Sequence, residues 1–169
     1  MTTTSLTCSS CGQIHALDDM ELTFARPEPI DQIPEAERTT KVKQNKDLAS
    51  IGYDKFFVRT LLPLPVLDRD EPYNLGVWAE VSEETFFRIR DLWDEPEQDK
   101  EPAFQATLQN RIPNLPETCG LPVMLHLTGP MTRPRLTVPP SDHPLHAQQC
   151  QGITAHIANQ YTQGHGAQV

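Results

Sequence analysis

The sequence predicts a single α+β domain, in which an antiparallel sheet carries helices on one face and a CxxC turn at the N-terminus resembles a zinc knuckle. The chain has 169 residues, which is the size of one domain. Runs of strand-forming residues are separated by short loops, and helical patterns lie between and after them. Its 16 prolines exclude a bundle of long helices, since proline interrupts helix interiors. We predict one domain over residues 1–161, with the knuckle in 1–16 and a flexible tail over 162–169.

Four runs of residues provide the strands of the predicted sheet. Residues 55–67 are rich in aromatic and β-branched side chains and end at two prolines, which favours a strand that stops or leaves the sheet there. Residues 75–81 form the next strand. Because a short charged loop joins these two strands, we expect them to pair antiparallel. Further strands are predicted at 121–128 and 135–138.

Helices are predicted where a capping residue precedes apolar side chains at helical spacing. Ser82 is a good N-cap, and the glutamates after it suit the positive end of the helix dipole. A weaker helix is predicted over 104–112, and a last helix begins after Thr154. A short helix is expected over 33–38, where a proline stands near the first turn.

The charge of the chain restricts its partners. Fourteen basic and 23 acidic residues give a net charge of −9, which repels the phosphates of nucleic acids and anionic membrane surfaces. A basic protein or a cation fits this charge better. The run from Met1 to Gly12 has no basic stretch followed by an apolar one, so we expect no secretory signal. The expected location is therefore the reducing cytoplasm, where disulfides are rare.

The sharpest local motif is a pair of cysteines two residues apart, Cys8 and Cys11, followed by Gly12 and His15. Thiolates and imidazoles are the usual ligands of structural zinc, which takes four of them. The motif supplies three, so the sequence predicts a structural zinc ion with a fourth ligand from elsewhere. A redox pair and two free thiols are the alternatives. The candidates for the fourth ligand are Cys119, His126, His143, His146 and Cys150.

A second set of residues could perform acid–base chemistry or hold a hard cation. Three acids in four residues follow the first predicted strand, a carboxylate precedes a histidine in a proline-braced loop, and an arginine stands shortly before a proline. The alternative for each is structural: a solvated turn, side chains that point apart, and a salt bridge. No nucleophile elbow, phosphate-binding glycine loop, dinucleotide fingerprint or HExxH occurs, so no catalytic motif is recognisable. The candidate catalytic residues are Asp68, Asp70, Glu71, Arg111 and Asp142.

The ordered set of these motifs resembles a bacterial family of unknown activity, domain-of-unknown-function family 2199. The family pattern carries the CxxCG motif and the following histidine but requires neither Cys119 nor Cys150. The resemblance therefore implies His143 as the fourth zinc ligand, with His126 next. It also places the acidic turn and Arg111 in matching motifs, and it implies no reaction. The matching segments are 8–15, 56–59, 65–71, 76–84, 92–94, 110–116, 126–127, 141–145 and 152–153.

These observations predict a small cytoplasmic binding or accessory protein that is stabilised by zinc and has a protein partner. Two alternatives remain open at this point. The first is an immunity or inhibitor protein for a bacterial toxin, which small size and acidity would suit. The second is a small enzyme that gathers the acidic turn, Arg111 and His143 in one cleft.

Overall fold

The computed structural model describes the backbone of residues 5–7, 14–16 and 21–166, and the side chains of residues 21–163. The helices are α1 (Glu28–Asp31), α2 (Glu35–Lys41), α3 (Glu83–Leu92), α4 (Pro144–Gln151) and α5 (Ala155–Gly166), with a 3-10 turn at Gln98–Lys100. The strands are β1 (Ser5–Thr7), β2 (Ile14–Ala16), β3 (Val42–Gln44), β4 (Leu48–Ile51), β5 (Lys55–Leu64), β6 (Tyr73–Val81), β7 (Phe104–Leu108), β8 (Pro122–His126) and β9 (Arg135–Thr137).

The main sheet closes into a small barrel. Strands β5 to β9 follow one another as antiparallel neighbours, and β9 then pairs with β5 in parallel, where the Leu61 amide donates to the Pro134 carbonyl at 2.9 Å. Strand β5 has ten residues, so the edge it shares with β9 also has room for β4, which pairs with its first four residues. The α+β class is thus confirmed. The predicted antiparallel sheet is present, and the length of β5 lets it close on itself into a barrel through one parallel contact.

The core lies inside this barrel and extends under α3. Leu62, Val77, Leu108 and Leu125 are fully buried there. The predicted helix after Ser82 is confirmed as α3, and the Ser82 hydroxyl accepts a hydrogen bond from the Thr85 amide at 3.1 Å. Capping of this kind satisfies an amide that the helix itself leaves without a partner.

The helix predicted over 104–112 is wrong, because residues 104–108 form strand β7. Ala106 and Leu108 are buried, whereas Gln105 is exposed and Thr107 half-buried, which is the two-residue period of a strand. The strand pairs with β8 along four residues, from Phe104–Leu125 to Thr107–Pro122. Pairing with a distant strand has overridden a local pattern that favoured a helix weakly.

A segment before α1 pairs in parallel with the edge of β6 at Gly76, beyond the part of that edge to which β7 bonds. Two residues of this segment bond to the backbone of Gly76. The Phe24 amide donates to the Gly76 carbonyl, and the Gly76 amide donates to the Leu22 carbonyl, both at 2.9 Å. The approach is so close that a Cβ at position 76 would lie 2.8 Å from the Thr23 hydroxyl oxygen. Position 76 therefore has to be glycine.

The C-terminal helices are tied to the barrel by polar side chains. The Gln149 carboxamide accepts from the Val138 amide at 2.7 Å and donates to the Leu136 carbonyl at 3.0 Å and the Pro63 carbonyl at 3.3 Å, so it joins α4 to β5 and β9. The helix predicted after Thr154 is confirmed as α5, and the Thr154 hydroxyl accepts from the Ile157 amide. Among the described residues, no helix combines the length and apolar character that crossing a bilayer requires.

Candidate ligand groove and the predicted site residues

A groove of about 590 Å³ lies between the β3–β4 hairpin and α3. This volume is within the range of small-ligand sites, roughly 300–1,000 Å³. Its floor is aromatic: the ring of Phe56 on β5 lies 5.0 Å from Phe86 and 5.8 Å from Phe87, both on α3, between ring centroids. We call this site the aromatic groove. Its lining is Thr40, Lys41, Lys43, Gln44, Asn45, Leu48, Ala49, Ser50, Gly52, Tyr53, Phe56, Phe86, Phe87 and Arg90.

The local sequence explains how the aromatic groove forms. Strand alternation turns Leu48, Ser50 and Phe56 toward α3, since Ser50 and Phe56 are directly paired. Gly52 adopts a positive φ of 55° in the β4–β5 turn, and its amide donates to the Lys41 carbonyl at 3.1 Å. This bond fixes the turn against the end of α2. The next residue, Tyr53, is 86% exposed at the rim, an unusual position for a large aromatic side chain.

The rim of the aromatic groove is positively charged in a chain that is strongly acidic overall. Three of the fourteen lining residues are cationic and none is acidic. Lys41 lies 3.4 Å from Glu37, and Arg90 lies 3.3 Å from Asp91, in pairs whose side chains are all at least half exposed. Such exposed pairs are weak and leave the cations open to other anions. Lys43 takes part in none of the ion pairs found in residues 21–163.

The predicted zinc ligands can be followed only in part. Cys8 and Cys11 lie outside the described residues, and His15 is described only as part of the backbone of β2. His143 is the N-cap of α4: its Nδ1 accepts from the Leu145 amide at 3.1 Å, and its Nε2 lies 3.2 Å from the Pro116 carbonyl oxygen. Because a carbonyl only accepts, Nε2 carries the proton. A metal bound at either nitrogen would therefore displace the cap or the Pro116 contact.

The remaining histidines and cysteines are also placed in specific contacts. His126 Nε2 lies 2.8 Å from the Thr137 hydroxyl, and burial together with Arg135 lowers the pKa of His126. Cys119 is half-buried, whereas Cys150 is exposed and lies beside His146. Within residues 21–163, no three or more His, Cys, Asp or Glu side chains are grouped to hold a metal ion.

The predicted catalytic residues are not gathered in one cleft. Arg111 pairs with Glu117 at 3.4 Å, and the adjacent Pro116 carbonyl contacts His143, so these two candidates belong to one region. The acidic turn lies elsewhere, since Leu67 in the same loop meets Gly152 at the C-terminal end of α4. His143 caps the opposite end of that helix, and eight residues of helix span about 12 Å. The side chains of Asp68, Asp70, Glu71 and Asp142 are exposed.

Comparison with known proteins places the chain in a family. A family model described as "Uncharacterized protein conserved in bacteria (DUF2199)" matches residues 7–153. The chain belongs to this family. The family assignment confirms the resemblance found in the sequence, and it carries no reaction, ligand or partner. No curated protein and no solved structure gives a significant match.

The aromatic groove was not anticipated from the sequence. Its floor combines Phe56 with two residues 30 and more positions later, and its rim takes Lys41 and Lys43 from the segment before β4. The helical spacing of Phe86 indicated only a buried stripe. One signal was available: Lys41, Lys43 and Lys46 form a basic patch in a chain of net charge −9.

Proposed function

We propose that the protein is a binding module whose aromatic groove receives an acidic segment of a partner protein, with an apolar side chain of that segment on the aromatic floor. The observation that carries the proposal is the combination of a cationic rim, without an acidic lining residue, and a floor of three phenylalanines. Aromatic pockets ringed by charge are the usual anchors of peptide segments.

Local charge decides between an acidic and a basic partner for this site. The net charge of −9 favours basic partners over the molecule as a whole. Interactions between exposed charges are screened beyond about 8 Å at physiological ionic strength. A segment seated in the aromatic groove would therefore interact mainly with Lys41, Lys43 and Arg90, and an acidic segment is the complementary one.

The geometry of the floor favours an apolar anchor over a purely ionic ligand. Phe86 and Phe87 meet edge to face with centroids 5.4 Å apart, and the Arg90 guanidinium lies 4.6 Å above the Phe87 ring. A planar side chain can stack on these rings, while the carboxylates beside it reach the rim. Desolvated aromatic contacts supply affinity and the charges supply orientation.

Binding of a labelled model peptide tests this function. The probe is a fluorescein-labelled hexapeptide with one tryptophan flanked by glutamates, compared with the same peptide carrying lysines. We expect the acidic peptide to bind and Lys43→Glu to weaken it about tenfold, because a rim attraction becomes a repulsion. Fluorescence anisotropy measures the affinity, and NMR shifts report whether the groove residues respond.

The matched control is Lys100→Glu, which makes the same charge change at an exposed lysine outside the groove. It should leave the affinity within about twofold, since only weak, screened interactions change. Equal affinity for the acidic and basic peptides, or equal loss in both variants, would contradict the proposed function.

We also propose that Cys8, Cys11 and His15 bind a structural zinc ion, with His143 as the fourth ligand. The CxxC spacing and the ligand chemistry support this. Zinc would cross-link residues 8–15 to the start of α4. The cytoplasmic location likewise stays a prediction from the sequence.

Metal analysis of the purified protein tests the zinc proposal. We expect one zinc per chain, lost in Cys8→Ser, with a lower melting temperature in the presence of a chelator. His143→Ala should also lower the zinc content; His126→Ala is the control. If the purified protein holds no zinc, or if its melting temperature is the same with and without the chelator, the two cysteines do not form a structural zinc site.

A further inference from the structure

Strand β3 forms one edge of the main sheet. Among the strands that the structure describes, it pairs with β4 alone, and its other side has no neighbouring strand there. An edge of this kind presents backbone donors and acceptors to which another extended chain can bind. The aromatic groove runs beside this strand, since Lys43, Gln44 and Asn45 are part of its lining.

The hydrogen bonds of the β3–β4 hairpin show which backbone groups face its partner strand. The Gly52 amide donates to the Lys41 carbonyl at 3.1 Å, and the Asn45 amide donates to the Leu48 carbonyl at 2.9 Å. The direction of the backbone groups alternates along an antiparallel strand. The odd-numbered residues of 41–45 therefore direct their backbone groups toward β4.

The even-numbered residues of β3 direct their backbone groups away from β4. The Val42 amide is already used, because it donates to the Arg38 carbonyl at the end of α2. The outward groups that remain are the Val42 carbonyl and both the amide and the carbonyl of Gln44. An extended segment aligned with these groups would form the hydrogen bonds of an added β-strand.

The charge along this edge decides what kind of chain can pair with it. Lys43 lies on the side of the groove, where it is paired with Ser50, and Lys41 and Lys46 stand before and after the strand. A second copy of the chain would bring lysines opposite one another, and like charges in that position destabilise a strand pair. An acidic segment is attracted by the same lysines, so it is the occupant that this edge favours.

We propose that the acidic segment binds as an additional strand on the outer edge of β3 and directs alternate side chains toward the aromatic groove. This inference rests on the proposed function and adds how the segment is held: main-chain hydrogen bonds supply affinity, and the groove selects side chains. Every second residue of the segment lies on the face of Lys43. Neighbouring strands are about 4.8 Å apart, and an aromatic side chain is long enough to extend past Lys43 into the groove.

N-methylation of the labelled acidic hexapeptide tests the main-chain pairing. A methyl group replaces the hydrogen of one peptide amide at a time, and in an added strand these amides point alternately toward β3 and away from it. We expect the affinity, measured by anisotropy, to fall at least about tenfold at two positions that are two residues apart. The position between them carries the same methyl group and is the matched control, with an expected change of about twofold or less.

Gln44→Pro tests the same pairing from the side of the protein. Proline has no amide hydrogen and is tolerated on an outward-facing edge. The comparison is Gln44→Ala, because both variants lose the bond from the Gln44 carboxamide to the Ala25 carbonyl and only proline also removes the amide donor. We expect Gln44→Pro to bind the acidic hexapeptide at least about fivefold more weakly than Gln44→Ala, at a temperature where melting curves show that both are folded.

Amide hydrogen exchange of the unmodified protein gives a readout without a substitution. The Gln44 amide should exchange at least about tenfold more slowly when the acidic hexapeptide is saturating, because the added strand would accept its hydrogen bond. The Lys100 amide, which donates to the Glu97 carbonyl outside the groove, is the reference and should change by about twofold or less.

The outcomes separate strand addition from the proposed function. If the acidic hexapeptide binds, but the effects of N-methylation do not alternate and the exchange of the Gln44 amide is unchanged, strand addition is overturned while the aromatic groove remains a binding site. Equal affinities of Gln44→Pro and Gln44→Ala would overturn it as well. If the acidic hexapeptide does not bind, the proposed function fails and strand addition fails with it.

Discussion

The two faces of the sheet formed by β3, β4 and the start of β5 differ in what covers them. On one face Ala49, Phe57 and Trp78 pack with Ile30 of α1, and all four are at most 1% exposed. On the other face α3 covers Phe56 but leaves Leu48 partly accessible, and the aromatic groove remains. We call these the covered face and the open face.

The two faces differ in the interactions that hold the segment or helix lying over them. The segment over the covered face is fixed by specific bonds: Trp78 Nε1 donates to the Phe24 carbonyl, and the Arg38 guanidinium donates to the carbonyls of residues 30, 31 and 33. On the open face, α3 makes apolar contacts through Phe86 and Phe87, whose rings pack on Phe56. Hence the covered face should set stability, whereas the open face is free to serve binding.

The largest expected effect is that of Trp78→Ala on the covered face. A fully buried tryptophan leaves a large cavity when truncated, and its bond to the Phe24 carbonyl is also lost. We expect the free energy of unfolding to fall by about 3–5 kcal/mol. Urea denaturation followed by circular dichroism measures this change. A loss below about 1 kcal/mol would mean that the covered face contributes no more than an ordinary exposed site.

Asn110→Ala tests the polar attachment of the same face with a smaller effect. The Asn110 carboxamide accepts from the Trp78 amide at 2.7 Å and donates to the Arg26 carbonyl at 2.9 Å, and the residue is 1% exposed. Its removal leaves buried groups without partners, which costs about 1–3 kcal/mol. Hydrogen exchange should show faster opening of residues 22–30 than of the barrel strands.

The control for this experiment is Gln109→Ala, whose carboxamide donates to the Thr107 hydroxyl two residues before it. It should cost about 0.5 kcal/mol or less, as partly exposed polar contacts do. If both variants lose the same stability, the attachment through Asn110 has no special role.

Phe87→Ala moves the comparison to the open face. Phe87 is only partly buried, and it packs on Phe56 and Phe86. Its truncation should cost about 1 kcal/mol, well below the value for Trp78, because much of the ring already contacts water. The acidic hexapeptide should bind more weakly to it, measured by anisotropy at a temperature where the variant is folded. Unchanged binding would place the apolar anchor elsewhere.

The sequence predicts an element correctly where the signal lies within that element. It predicts poorly where the structure depends on contacts between residues far apart in the chain. Strand β5 follows from a run of strand-forming residues, β6 from side-chain alternation and α3 from the Ser82 cap, and all three are confirmed. The sequence predicts a helix where β7 lies, because the burial period of this strand depends on its pairing with β8. The barrel closes through the parallel pairing of Leu61 with Arg135. These residues are far apart in the sequence, so no local pattern predicts that they pair.

The candidate site shows the same division between local and distant information. The spacing of Cys8 and Cys11 is a local signal and remains a prediction, because both lie outside the described residues. His143, expected as a metal ligand, is placed as the cap of α4, since a histidine before a helix can serve either role. The aromatic groove depends on side chains from three separate segments, which no single stretch of sequence reveals.

Tyr53→Ser is expected to change the free energy of unfolding least, and it separates binding at the open face from stability at the covered face most clearly. Tyr53 is 86% exposed in the β4–β5 turn and lines the aromatic groove, so the free energy of unfolding should stay within about 0.5 kcal/mol of the parent. The variant removes an aromatic ring from the lining of the groove, and the acidic hexapeptide should therefore bind several-fold more weakly. The pattern is the reverse of that expected for Asn110→Ala, which lowers stability and spares binding. A Tyr53→Ser protein that loses stability but binds normally would show that exposure alone does not distinguish the open face from the covered one.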